Sequence, residues 1–225
     1  MMSTSISLRP SPWPIAGLLF LGTLPLMFGV LRLLQFAGLS DVMPALPEGL
    51  VLALPIAIHI GGAILLAILG AFQFSLTMRK RWPALHATLG RAALVGGVLV
   101  ALSALWLTAA YATPTPGGLL LVAFRVAFAL GLLASLVLGL AAIRRRDIKR
   151  HSEWMTRAYA LALGAATQMI VLTLAGLVMG EPPVEVGRAL LMGLAWGINL
   201  AFAEWLIRRR RHPAGRVPGG AAALP

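Results

Sequence analysis

Four histidines and no cysteine bound the metal and redox chemistry open to this 225-residue chain. Without thiols there is no disulfide, zinc–thiolate site, iron–sulfur cluster or thiol nucleophile, so any metal or cofactor has to be held by His, Met, carboxylate or amide groups. His59, His86 and His151 lie within or beside strongly apolar stretches, whereas His212 sits in a basic Gly/Pro-rich tail where a histidine is simply solvated. Two of them share a local pattern. Arg79-Lys-Arg-Trp-Pro-Ala-Leu-His86 and Arg144-Arg-Arg-Asp-Ile-Lys-Arg-His151 each put a histidine seven residues after the first basic residue, and Arg91 or Arg157 follows just before the next apolar run.

Imidazoles from two helices are the axial ligands of a bis-histidine haem b held in a helical bundle, and His86 and His151 suit that role as metal ligands. Arg91 and Arg157 would then neutralise the haem propionates. Gly90, Ala93 and Gly97 follow His86 at i+4, i+7 and i+11, small enough to admit a flat macrocycle or, equally, a closely packed helix. The plainer reading makes both histidines interfacial residues facing lipid headgroups. His59 has two roles open to it. It is an outer ligand, partnered by Met192 or facing an open position, with Arg32, Arg125 and Arg188 ready for an anion or propionate; or it is hydrogen-bonded to a neighbouring helix and able to relay protons.

Gln73, Arg125, Gln168, Asn199 and Glu204 are the other polar side chains inside apolar runs, where such groups are costly without partners. Glu204 is expected to pair with an arginine from another helix end, and Asn199 to bond across helices. The function these residues suggest besides haem-based electron transfer is a cofactor-free small transporter or assembly factor, in which Arg125, His59, Gln168 and Asn199 line a polar path. A structural or accessory subunit of a larger membrane complex is the third class.

The elements that position these residues are read from hydropathy. The chain is 59% hydrophobic and 12% charged, against roughly 45–50% apolar residues in soluble domains. Apolar stretches at 13–36, 50–78, 90–111, 119–143, 158–179 and 186–207 each approach the ~20 residues that cross hydrocarbon. The reading is all-α: a polytopic transmembrane bundle of six spans in a single domain over residues 1–211, with its core formed by spans two to five. The first run is too long for a signal peptide and has no small-x-small site before Asp41, so it stays as a helix. Residues 212–225 lack periodicity and are expected to form a disordered cytoplasmic tail.

The net charge of +12 follows the same topology. Arg79, Lys80, Arg81, the cluster from Arg144 to Arg150, and Arg208 to Arg211 all fall in alternate connections, which makes those connections and both termini cytoplasmic. The basic face would attract anionic lipids, and no nucleic-acid module accompanies it. At ~1.5 Å per residue, His59 lies ~13 Å deep from the opposite face and ~25 Å from His86 and His151, too far to share a metal. Trp82, Trp154 and Trp205 mark an aromatic belt at the inner interface. There is no phosphate loop, nucleophile elbow or H-E-x-x-H helix.

His59-Ile-Gly-Gly, Phe72-Gln-Phe74, His86-x-x-x-Gly90-Arg91, His151-x-x-Trp154-Met155-x-Arg157-x-Tyr159-Ala160, Asn199-Leu200 and Glu204-Trp205 together resemble the bacterial predicted-membrane-protein family called domain of unknown function 2306. The likeness runs from about His59 to Arg208. It implies a multi-helix protein of the bacterial inner membrane, with His59, Gln73, His86, Arg91, His151, Trp154, Arg157, Asn199 and Glu204 at the signature positions, and it implies no activity. The family's pattern has an arginine in span five near where this chain has Gln168. Histidines on neighbouring spans give a looser resemblance to membrane b-type cytochromes, which implies haem b and a membrane redox partner.

Overall fold

The computed structural model describes residues 13–44, 50–111 and 115–211. These form eight helices and, among the described residues, no strand: α1 (Trp13–Phe36), α2 (Leu50–Gln73), α3 (Leu76–Arg81), α4 (Pro83–Ala110), α5 (Pro116–Arg144), α6 (Ile148–Ala162), α7 (Gly164–Met179) and α8 (Glu185–Arg211). Five of them, α1, α2, α4, α5 and α8, are long and apolar enough to cross a membrane. α6 and α7 make a sixth span when taken together, bent by 41°. The tail at 212–225 lies outside the described residues.

Local signals explain where the helices differ from the apolar runs. The expected second span to Met78 stops at Gln73, because the Ser75 hydroxyl accepts the Met78 N–H at 3.1 Å and starts the short helix α3. Pro83 then opens α4, where its missing N–H costs nothing. Helix α4 is regular from there, seven residues before the expected start at Gly90, and at 28 residues it extends ~42 Å. His86 is therefore helical. At the next turn Arg146 takes a left-handed conformation (φ 61°) and the Asp147 N–H reaches back to the Ala142 carbonyl at 2.9 Å, closing α5. The Asp147 carboxylate accepts from the Arg150 N–H at 3.0 Å and caps α6, so His151 is also helical.

Small residues set the packing. Helices α2 and α4 approach most closely at Gly62 and Gly96, where a Cβ on either would lie 2.8 or 2.7 Å from the other's carbonyl oxygen. The buried core joins Ala101 of α4, Leu132 and Leu136 of α5, and Ala158 and Leu161 of α6, with Trp196 and Leu200 of α8 against it. The core expected from spans two to five thus also needs span six, which packs along α5, α6 and α7. Helix α1 lies at the periphery, against α2 and α7.

Candidate functional site at the broken span

Span five breaks at Leu163, leaving the last carbonyls of α6 without intrahelical donors. Helix α8 supplies a replacement. Asn199 Nδ2 donates to the Ala160 carbonyl at 3.0 Å, and its Oδ1 accepts from the Thr167 hydroxyl at 2.8 Å, so one amide bridges both halves of the span. The Trp196 indole lies where any side chain on Gly164 would stand, and stacks on Phe128 with centroids 4.7 Å apart. Gln168 is buried and donates to the Met192 carbonyl at 3.4 Å. Asn199 and Gln168, expected to line a polar path, instead fasten α8 to the broken span.

A cavity of about 160 Å³ opens beside this break, walled by α1, α2, α4, α6 and α7. Its walls are apolar, apart from His59 and Tyr159. His59 Nδ1 lies 3.1 Å from the Ser103 hydroxyl of α4. The Tyr159 hydroxyl donates to the Ala67 carbonyl at 2.8 Å, and its ring fills the space over Gly70 and meets Phe74 edge-on. Of the roles open to His59, the interhelical hydrogen bond is the one present. Met192 lies on α8, which contributes nothing to the cavity wall. Ser103 is not singled out by the sequence and Tyr159 only by the family's pattern; a serine inside an apolar run, whose hydroxyl bonds back to the Leu99 carbonyl one turn earlier, is the signal that marks such a position.

The outer arginines do not reach His59 as a group. Arg32 donates to Gln35 Oε1 at 2.5 Å and to the Pro44 carbonyl at 2.7 Å, and Gln35 donates to the Met43 carbonyl at 2.6 Å, which ties the loop after α1 to its own helix. Arg125 and Arg188 are close enough for their charges to interact, and neither forms an ion pair among the described residues.

At the end of the bundle that carries the basic clusters, His86 and His151 come close enough to interact, with Arg79 beside His86. His151 Nδ1 lies 2.9 Å from the Gly139 carbonyl, which can only accept, so Nδ1 carries a proton. His86 Nδ1 is buried and has no partner among the described residues. The small face next to His86 is not a slot for a macrocycle. A Cβ on Gly90 would stand 2.9 Å from Gln73 Oε1, Ala93 is buried, and Gly97 is covered by Leu136 and Leu66, because the small residues serve helix packing. Gln73 also donates to the Leu69 carbonyl at 3.3 Å.

Arg157 differs from its expected propionate role as well. Its Nε and a terminal nitrogen hold Glu204 at 2.5 and 3.1 Å, and its guanidinium lies 4.5 Å over the Trp154 ring, so its charge is already compensated. A second bidentate pair, Glu153 with Arg211, joins α6 to the end of α8. Glu153 is buried, which its place in a polar stretch of sequence does not foretell. Arg91 is exposed, with no ion pair among the described residues. No three His, Cys, Asp or Glu side chains converge to hold a metal among the described residues.

No curated protein and no solved structure matches the chain. Several residues of the pattern read from the sequence nonetheless make contacts between helices: His59 with Ser103, Asn199 with the Ala160 carbonyl and Arg157 with Glu204. The family described as Predicted membrane protein (DUF2306) matches residues 56–207, well over half of the chain, and this multi-pass membrane protein belongs to it.

Proposed function

We propose that the protein binds a small lipid-soluble molecule in the cavity beside the broken span, acting as a membrane-embedded binding or carrier protein in the bacterial inner membrane. One observation carries this reading: an apolar cavity of about 160 Å³ surrounded by five helices, with the ring of a signature histidine in its wall. A cavity of about 150 Å³ lined by apolar side chains accepts a benzene-sized guest. In this reading the basic loops face the cytoplasm and the anionic lipids there, and the bound molecule arrives through the bilayer. Thermal unfolding of the detergent-purified protein with 4-methylphenol tests it. The midpoint should rise with ligand concentration, since a ligand that binds only the folded state stabilises it, and Ala63→Leu, which fills the cavity, should abolish the rise. No rise, or an equal rise in the variant, overturns it.

A second reading, electron transfer through haem b with a membrane redox partner, is favoured by one feature. His151 has its Nδ1–H fixed by a backbone carbonyl, the arrangement that orients an imidazole for ligation through Nε2, and His86 is near. The filled face at Gly90 and Gly97 and the engaged Arg157 count against it. Purified protein from haem-replete cells is expected to show no Soret band; a Soret band lost on His151→Ala would establish the haem instead.

A further inference from the structure

We propose that the cavity selects molecules that bring their own hydrogen-bond donor, and that the class it fits is a phenolic or hydroquinone ring; this rests on the cavity being the binding site. The inference follows from where the protons of its polar wall are committed. Ser103 Oγ lies 2.5 Å from the Leu99 carbonyl and 3.1 Å from that of Val100. Carbonyls only accept, so the single hydroxyl proton goes to them and Ser103 accepts from His59. His59 is thereby held as the tautomer with a proton on Nδ1 and a lone pair on Nε2, which has no partner among the described residues.

Tyr159 is committed in the same sense. Its hydroxyl proton points to the Ala67 carbonyl, which leaves only oxygen lone pairs to offer. The two polar side chains of the wall therefore present acceptors and no donor. An ether, ketone or oxidised quinone placed there sets acceptor against acceptor and leaves both unpaired, whereas a ring hydroxyl satisfies the imidazole.

Size and surroundings set the rest of the class. The volume matches one six-membered ring, and the walls at Gly22, Gly29, Ala63 and Ala166 are small and apolar. The lipid-side wall is α1, which packs along α2 and α7 and contributes Pro25 to the cavity lining. A hydrocarbon tail on the ring would leave past α1 into the bilayer.

The test compares 4-methylphenol with 4-methylanisole, which differ by the donor alone, in ligand-observed NMR on the full-length protein in detergent. The phenol is expected to bind at least about tenfold more tightly, although the ether is the more apolar of the two. Ala63→Leu should remove the binding. Ser103→Ala frees the imidazole to take the other tautomer and should shrink the preference several-fold, and His59→Phe, which keeps an apolar ring in place, should erase it. Equal binding of both probes that is lost in Ala63→Leu overturns the donor selection and leaves the cavity reading standing. A preference that survives both Ser103→Ala and His59→Phe overturns the donor selection too. Binding of neither probe, or binding that survives Ala63→Leu, overturns both.

Discussion

Arg157 and Glu204 hold two parallel hydrogen bonds at the basic end of the bundle, with 18% and 36% of their side chains exposed. A pair buried completely loses about 3–5 kcal/mol when one partner is removed, and exposure screens that figure. Arg157→Ala is therefore expected to cost about 1–2 kcal/mol, read as a lower midpoint in denaturant titration of the detergent-solubilised protein. Arg157→Lys should recover only part of it, because an ammonium cannot reproduce the fork or the contact with Trp154. Unchanged stability in Arg157→Ala would show that the pair contributes nothing to the fold. The carboxylate's need for a partner was legible in the sequence, because Glu204 lies in an apolar run. The choice of Arg157 among the arginines of the basic clusters was not, since it depends on the packing of α6 against α8.

At the scale of elements, the broken span is where the structure departs most from the hydropathy pattern. Apolar residues run without interruption from Ala158 through Gly164, with no proline to announce a break. Nothing in a hydropathy window marks a break at Leu163. The break is held open by residues 32 to 39 positions away: Trp196 over Gly164, and Asn199 on the Ala160 carbonyl and Thr167. Asn199→Leu should leave that carbonyl without its side-chain donor and cost about 1–3 kcal/mol, measured by the same denaturant titration. Thr167→Val, which removes only the weaker half of the bridge, should cost less. A stability loss in Thr167→Val larger than in Asn199→Leu would reverse the order argued here. The ends of α2 and α5 were more legible, since Ser75, Pro83 and Asp147 are ordinary cap residues, though the hydrophobic count carried the second span past Ser75.

At the scale of the whole molecule, orientation is the main expectation left to measurement. The cysteine-free chain makes single-cysteine labelling clean. Glu181→Cys, in the exposed connection between α7 and α8, should react with a membrane-impermeant maleimide on intact cells, and Lys149→Cys, exposed in the first turn of α6, only after permeabilisation. The opposite pattern would invert the topology. Exposed apolar side chains on every long helix, such as Phe20, Leu54, Trp106, Val137, Leu177 and Phe202, are the surface that a bilayer covers.

Hydropathy and charge alone determined that this chain is a multi-pass helical membrane protein with its basic residues gathered at one end, because apolar length and the cost of buried charge are local, additive properties of a sequence. They also marked which polar residues required an explanation. What each of those residues does was decided by tertiary structure: Gly90 and Gly97 admit helices and not a macrocycle, Arg157 is taken by Glu204, Asn199 mends a broken span, and His59 meets Ser103 of α4 at the wall of a cavity. Partner choice depends on distances between residues tens of positions apart, and the proton on one imidazole nitrogen depends on a hydroxyl forty-four residues away.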